Sequence, residues 1–168
     1  MANESWEYRD WTMRNFIYSG YKILDKIGQD EKILDIGCGR NLFKSHRPNV
    51  LGIDPVHDDA DIKIAFQDFE TTEKFDVILC LGSLHFGKLE DIVFLIKKLT
   101  GMLKPGGKVF WRCATQSKAW FQYVWTKQLH HDLANELGYS VVELEDDYIL
   151  DGQNKIAPKI YAQWVKTL

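Results

Sequence analysis

The stretch ILDIGCGRNLF, Ile33–Phe43, decides how the rest of this sequence is interpreted. Branched apolar residues surround an acid, Asp35, and two glycines, Gly37 and Gly39, follow with one residue between them. This pattern predicts a buried strand that ends in a tight turn, because glycine allows positive φ and lets a ligand approach the backbone. In an open α/β sheet, ligands bind at the carboxyl ends of the strands. The stretch therefore predicts a ligand-binding turn.

The turn departs from the dinucleotide fingerprint G-x-G-x-x-G. Leu42 stands where the last glycine belongs, and Arg40 follows the second glycine. That last glycine permits close packing of helix on strand, so its absence weakens the dinucleotide interpretation. A nicotinamide-dependent oxidoreductase is kept as a minor alternative.

Apolar runs of strand length recur along the chain, at 32–36, 49–54, 62–66, 75–81 and 108–113. Most are continuous rather than alternating, which is typical of parallel strands buried on both faces. Helical spacing of apolar residues predicts helices at about 89–103 and 117–137, the first stopped by KPGG at 104–107 and the second by Gly138. Two further strands, 140–150 and 159–168, have no helix between them and must be antiparallel.

The connections after the second and third strands are short. Between Asp54 and Ile62 there is room for about two helical turns at most. Between Phe69 and Phe75 there is almost none. One side of the sheet is therefore thinly covered near its first edge, which predicts either an unusual loop cover or a surface for a homodimer or a partner subunit.

Composition limits the class of protein. The 168 residues suit one domain, 1–168, and 45% hydrophobic with 27% charged residues is ordinary for a globular domain. The net charge of −3 gives no general attraction to nucleic acid, and no apolar run reaches membrane-spanning length. The first eleven residues lack the apolar core of a signal peptide. Three cysteines without a CxxC pair indicate buried, reduced thiols in a cytoplasmic protein, and no metal site is expected.

Five ordered elements carry a resemblance to a known family. They are LDIGCGR, GIDP, QDFE, FDVILCLGSLHF and LKPGGKVF. Over about 30–168 the chain resembles the class I S-adenosylmethionine-dependent methyltransferases. The resemblance implies an α/β, Rossmann-like three-layer sandwich with a seven-stranded, mostly parallel sheet of order 3-2-1-4-5-7-6, strand 7 antiparallel, and shortened helices after strands 2 and 3. It also implies S-adenosylmethionine as cofactor and S-adenosylhomocysteine as product.

The resemblance implies cofactor-binding roles for residues near three strand ends. Asp35 takes the amino group of the cofactor. Asp54 takes the ribose and Asp68 the adenine amino group, where Phe69 lines the ring. The remaining positions carried over are Gly37, Cys38 and Gly39 against the methionine moiety, Pro55 beside Asp54, and Leu81 and Gly82 at the sulfonium end.

Methyl transfer from a sulfonium is an in-line displacement in which the cofactor already contains the activation. The protein mainly aligns the reactants and excludes water. His85 follows the fourth predicted strand and is the candidate general base, since an imidazole titrates near neutral pH. The alternative is a histidine that caps the following helix or packs locally. Arg112 either orients an acidic acceptor or is a packed, solvated arginine. His130 and His131 are interpreted as surface or packing residues.

The segment 1–28 is rich in aromatic residues and precedes the core, 29–168. The resemblance implies a lid over the cofactor, with Trp11 and Arg14 as contacts. The alternative is that these aromatic side chains cover the thinly protected sheet.

The methyl acceptor is not identified by any motif. No long insertion follows the fourth strand or separates the last two, and no asparagine-proline-proline-aromatic motif is present. A small-molecule acceptor is ranked first and a protein or RNA acceptor second. The alternative is a non-catalytic S-adenosylmethionine-binding module, or one subunit of a two-chain methyltransferase.

Overall fold

The computed structural model describes residues 21–116, 122–151 and 154–167. Six strands form one sheet: β1 (Ile33–Ile36), β2 (Val50–Ile53), β3 (Phe75–Leu81), β4 (Leu103–Ala114), β5 (Tyr139–Asp151) and β6 (Asn154–Lys166). The α-helices are α1 (Tyr21–Leu24), α2 (Leu89–Met102) and α3 (Lys127–Leu137), and short 3-10 helices span Leu42–Ser45 and Phe66–Asp68.

The strand order is β2-β1-β3-β4-β6-β5. The first four strands in that order are parallel, whereas β6 runs antiparallel to both β4 and β5. This confirms the predicted mostly parallel sheet with an antiparallel tail. The observed strand order equals the expected order 3-2-1-4-5-7-6 with the predicted strand 3, at the edge, left out. The order reverses between β1 and β3, so the crevice for a ligand lies beyond the carboxyl ends of these two strands.

The predicted third strand, 62–66, is wrong, and the described residues give six strands rather than seven. Only an isolated bridge joins Ile53 to Ile62. The Asp61 carboxylate accepts the N–H of Gly52 at 2.8 Å, and the backbone N–H groups of Asp61 and Ile62 donate to the carbonyl of Gly52. The start of the run 62–66 does lie beside the end of β2, since the N–H of Asp54 donates to the carbonyl of Ile62 and the N–H of Ile64 to that of Asp54. The chain then continues into the 3-10 helix Phe66–Asp68 and not into a strand. The choice between an unusual loop cover and a partner surface stays a prediction.

The predicted helix over 117–137 is shorter in the structure, where α3 begins at Lys127. The N-cap is Thr126, whose hydroxyl accepts the N–H of Leu129 at 3.0 Å. Residues 122–126 are not helical. In this stretch the N–H of Trp125 donates to the carbonyl of Ala114, and the N–H of Tyr123 donates to that of His85. These tertiary hydrogen bonds hold the segment outside the helix. Gly138 ends α3 with φ 81°, as predicted.

The KPGG stretch follows the end of α2 but lies within β4. Phe75 pairs with Leu103, and two residues later Val77 pairs with Lys108, so the residues between Leu103 and Lys108 form an irregularity in the strand. Only the second part of β4 is regular, which corresponds to the predicted run 108–113.

Two apolar cores lie on the two faces of the sheet, as expected for three layers. The larger core packs α2 and α3 against the sheet through Ile92, Ile96, Leu133 and Ala134, among others. In the smaller core, Ile23, Leu24 and Ile27 from α1 and the turn after it pack on β1, β2, β3, β4 and β6. Within 21–28, the N-terminal segment therefore covers the sheet. The three cysteines are buried and free, which confirms their predicted state.

His130 lies inside a cluster of three tryptophans in the larger core. Its ring centroid is 4.7 Å from that of Trp125 and 5.6 Å from that of Trp164, and Trp111 lies at 6.3 Å. The imidazole is fully buried, and neither ring nitrogen has a hydrogen-bond partner among the described residues. Burial, with a smaller contribution from His131, lowers the pKa of His130 to about 3. His130 is therefore neutral in the folded chain at every ordinary pH.

This burial predicts a specific dependence of stability on pH. Below about pH 6.5 the unfolded chain protonates His130 whereas the folded chain does not, so stability is lost as the pH falls toward 3. We expect His130→Leu to gain about 2 kcal/mol over the wild type between pH 6.5 and pH 5. Urea unfolding at both pH values measures this change. His131→Leu, at the exposed neighbouring position, is the matched control, and an equal change in both variants would contradict the assignment.

Candidate functional site

The turn after β1 is tight, because three alternate residues in it have a positive φ. Gly37 and Gly39 have φ of 69° and 54°, and Asn41 has φ 55°. The N–H groups of Gly37 and Cys38 both donate to the carbonyl of Ile53, at 2.9 and 3.0 Å. The N–H of Gly39 donates to Asp54 Oδ2 at 3.1 Å. The amides that would hold a pyrophosphate in a dinucleotide site are thus already used inside the protein.

Asp54 joins the glycine turn to the end of β2. Its Oδ1 accepts the N–H groups of Val56 and His57, each at 2.9 Å, in addition to the bond from Gly39 to Oδ2. The residue is 7% exposed. A carboxylate has about four acceptor positions, so these three bonds leave room for one further donor. Pro55, beside it, is exposed.

Asp35 is a second buried carboxylate at this turn. It is 4% exposed, and no group in the described ranges donates a hydrogen bond to it. Burial, together with the charge of Asp54, raises the pKa of Asp35 to about 7. A buried carboxylate without a donor is costly unless a cation or donor is supplied. This arrangement favours a ligand with a positive charge.

Two contacts at the centre of β2 were not predicted from the sequence. The side chains of Cys38 and Asn41 pack against the Cα of Gly52, and a Cβ there would lie 2.9 Å from Cys38 Sγ. Asn41 Nδ2 also donates to Asp61 Oδ2 at 3.2 Å. Burial raises the pKa of the Cys38 thiol, so it is a packing group and not a reactive thiolate. A glycine inside a strand pattern is the signal that could have indicated this close approach.

Asp68 and Phe69 were predicted to lie at the end of the third strand. Because the described residues do not form that strand, this prediction is wrong. Asp68 is exposed on the 3-10 helix Phe66–Asp68, and no hydrogen bond joins it to the glycine turn in the described part of the chain. Phe69 is 4% exposed and packs in the larger core.

The end of β3 faces the same crevice. Leu81 is the last residue of the strand, and Gly82 follows with φ 88°. His85 lies against this turn, since a Cβ on Gly82 would be 3.8 Å from its Cε1. The residue is 5% exposed, and its Nε2 is 3.4 Å from Nε2 of Gln122. Burial, with a smaller contribution from Lys159, lowers the pKa of His85 to about 4, so the expected titration near neutral pH is wrong for this environment.

Ser83 lies between the two turns and was not singled out from the sequence. A Cβ on Gly37 would be 2.6 Å from Ser83 Cβ, so this side chain packs directly on the glycine turn. The contact joins the chain after β1 to the chain after β3. No local pattern indicates it, because the two residues are far apart in sequence.

Arg112 is a buried member of an ion pair. It is 2% exposed, and its Nε lies 3.0 Å from Asp147 Oδ2. Arg112 is therefore packed against β5, as in the second predicted alternative, but the expectation that it is solvated is wrong.

Trp11 and Arg14, the predicted lid contacts, lie outside the described residues. Within 21–116, 122–151 and 154–167, no cluster of three or more histidine, cysteine or acidic side chains could hold a metal ion. The helices in these ranges are too short or too polar to cross a membrane.

A family model described as a methyltransferase domain matches residues 6–144. This chain belongs to that family. The match confirms the resemblance drawn from the ordered motifs of the sequence. No curated protein sequence matches this methyltransferase.

Solved structures of methyltransferases share the fold. The N-methyltransferase NodS from Bradyrhizobium japonicum WM9, in complex with S-adenosylhomocysteine, is 17% identical with a TM-score of 0.71, covering 98% of this chain and 92% of its own. Magnesium protoporphyrin IX methyltransferase from Synechocystis PCC 6803, with bound S-adenosylmethionine, is 14% identical with a TM-score of 0.71. The match covers 97% of this chain and 85% of that enzyme. The 1,6-didemethyltoxoflavin-N1-methyltransferase from Burkholderia thailandensis is also 14% identical, with a TM-score of 0.70. The match covers 92% of this chain and 77% of that enzyme.

Proposed function

We propose that this methyltransferase transfers a methyl group from S-adenosylmethionine to a small-molecule acceptor. One observation carries the choice of cofactor: the glycine turn presents two buried carboxylates, Asp35 and Asp54, while its own N–H groups are bonded internally. The cofactor has a sulfonium and an ammonium group, which these carboxylates favour. A dinucleotide brings a pyrophosphate, for which this turn offers repulsion and no amide donors among Gly37, Cys38 and Gly39.

The residues fit the cofactor at three places. Asp35 is the partner for the ammonium group, because it lacks any other donor in the described structure. Asp54 takes one ribose hydroxyl through its remaining acceptor position. Gly37 and Gly39 form the turn against the methionine moiety, and Cys38 packs on Gly52 behind it. Asp68 and Pro55, which are exposed, are proposed for the adenine end, whereas the ring of Phe69 is used in the larger core.

The methyl group is transferred in line from the sulfonium when the cofactor is bound, and the chain orients the acceptor. Leu81 and Gly82 lie at the carboxyl end of β3, where the sulfonium belongs in this proposal. His85 borders Gly82 and is neutral at pH 7, so it is available to accept a proton from the acceptor. With a pKa of about 4 it is a weak base, so its contribution as a general base is small unless the bound acceptor raises this pKa.

The proposal of a small acceptor is supported by the compact chain and by the named compounds of two similar enzymes, a protoporphyrin and a didemethyltoxoflavin.

Calorimetric titration with S-adenosylhomocysteine, with NAD as control, tests the cofactor. We expect micromolar binding of the first and none of the second. The same titration at pH 6 and pH 8 tests the role of Asp35. Since its pKa is raised to about 7, the carboxylate must ionise to bind the ammonium, and the affinity should rise between these pH values.

Asp35→Asn is the matched variant, and its affinity should be weaker and independent of pH over this range. Failure of the wild type to bind S-adenosylhomocysteine at either pH would contradict the proposed function. Binding with the same pH dependence in the variant would contradict only the role of Asp35.

A further inference from the structure

Ser83 has an unusual position among the hydroxyl side chains of this chain. The turn at Gly82 brings it over Gly37, at the point between β1 and β3 where the strand order reverses. The closest approach is between Ser83 Cβ and the place that a Cβ of Gly37 would occupy, 2.6 Å, and Ser83 Oγ lies 3.5 Å from the same place. Ser83 is thus part of the wall of the crevice proposed for the cofactor.

The hydroxyl of Ser83 is shielded from solvent, and no described residue lies within hydrogen-bond distance of it. Two other hydroxyls of the described chain illustrate the usual state: Ser45 Oγ donates to the carbonyl of Leu42, and Thr100 Oγ1 donates to that of Ile96. A buried hydroxyl without a partner is destabilising, and such groups in native proteins call for an explanation. A ligand that supplies the partner would recover the lost hydrogen bond.

The chemistry of the surrounding turn indicates which ligand group this is. The N–H groups of Gly37, Cys38 and Gly39 are used internally, and Asp35 suits a cation. A bound amino-acid moiety has an ammonium group for Asp35 and a carboxylate that needs side-chain donors, since these backbone N–H groups are already bonded. Arg40 at the end of the turn and Ser83 above it are the side-chain donors nearest in the chain to this place. A serine hydroxyl donates one hydrogen bond and fits beside a glycine without a steric conflict.

We propose that Ser83 is a cofactor-binding residue whose hydroxyl donates to the α-carboxylate of S-adenosylmethionine. This inference rests on the proposed function, since it requires that cofactor. In this inference the amino-acid end of the ligand is recognised by the chain after β3 as well as by the glycine turn. S-adenosylhomocysteine has the same amino-acid end and serves as the probe.

The experiment compares two ligands that differ only by that end. Calorimetry with S-adenosylhomocysteine and with 5′-methylthioadenosine, which lacks the amino-acid moiety, is carried out on the wild type and on Ser83→Ala. A hydrogen bond to a charged group is removed in the variant, so we expect its affinity for S-adenosylhomocysteine to fall about tenfold, with unchanged affinity for 5′-methylthioadenosine. Ser83→Cys keeps the size of the side chain with a weaker donor and should give an intermediate loss.

The control is Ser45→Ala, because the Ser45 hydroxyl bonds only within its own 3-10 turn. It should bind both ligands as the wild type does. An unchanged affinity of Ser83→Ala for S-adenosylhomocysteine, or an equal loss for both ligands, would overturn this inference and leave the proposed function intact. A wild type that binds neither ligand would overturn the proposed function, and this inference with it.

Discussion

Asp54→Ala is expected to lower the free energy of unfolding by about 3 kcal/mol and to weaken the binding of S-adenosylhomocysteine by roughly 1–3 kcal/mol. The carboxylate accepts three backbone N–H groups, from Gly39, Val56 and His57, and alanine leaves all of them without an acceptor. Of these three residues, Gly39 and His57 are buried, so water does not replace the lost bonds. Chemical denaturation and calorimetry measure the two effects.

The structure also provides variants that separate the two effects. Asp54→Asn keeps one acceptor oxygen for the N–H groups of Val56 and His57, but its NH₂ group cannot accept the N–H of Gly39. The stability loss should therefore be about half as large. Asp59→Ala removes an exposed carboxylate from the same loop and should change stability by less than about 0.5 kcal/mol. If Asp54→Ala were as stable as Asp59→Ala, the connection between the glycine turn and β2 would not be as described.

Gly37→Ala is expected to lower the free energy of unfolding by about 3 kcal/mol, from two independent causes. Its φ of 69° lies in the left-handed region, and the added Cβ would lie 2.6 Å from Ser83 Cβ. Binding of S-adenosylhomocysteine should be lost as well, because relief of the contact moves the chain after β3 away from the crevice. Urea unfolding and calorimetry measure the outcome.

Gly106→Ala is the matched control for backbone strain. Gly106 has φ 72°, but nothing lies within 4 Å of the added Cβ, so only the backbone cost of about 1–2 kcal/mol remains. The double variant Gly37→Ala/Ser83→Gly removes the steric contact and should recover part of the stability but not the affinity. Equal losses for the two glycine variants would show that Ser83 does not pack on the turn.

The sequence predicted the interior of the sheet well, because strands buried on both faces are continuous apolar runs. The stretch FDVILCL became β3 with the predicted bounds, and the glycine pair after β1 adopts the positive φ that the pattern required. The antiparallel tail followed from the absence of a helix between its two strands. These features depend on local composition and on chain connectivity.

The missing third strand shows where local reasoning fails. The run IKIAF has strand composition, but only its first residues bond to the end of β2, and the N–H of Gly52 is taken by the Asp61 carboxylate. A hydrogen bond from a side chain to a distant backbone amide has no signature in the pattern of apolar residues. The same holds for the start of α3. Trp125 donates hydrogen bonds to the carbonyls of Ala114 and Leu84, and the helix therefore begins only after Thr126.

At the candidate site, the residue types were predictable and their environments were not. Asp35 and Asp54 were expected at strand ends, but their burial and mutual repulsion, which raise the pKa of Asp35, depend on packing. Burial likewise removes the near-neutral titration expected of His85. Ser83 was missed because its contact with Gly37 crosses from one strand end to another.

The place of β6 in the sheet has a consequence for folding. The edge strand β5 precedes β6 in the chain, yet it reaches the sheet only through β6, which pairs with both β4 and β5. Trp164 and Tyr161 on β6 contribute to the two opposite cores. Neither core is complete, and β5 has no neighbour, until β6 is inserted between the two strands. Unfolding is therefore expected to be a single cooperative transition, with the slow step of refolding set by this long-range insertion.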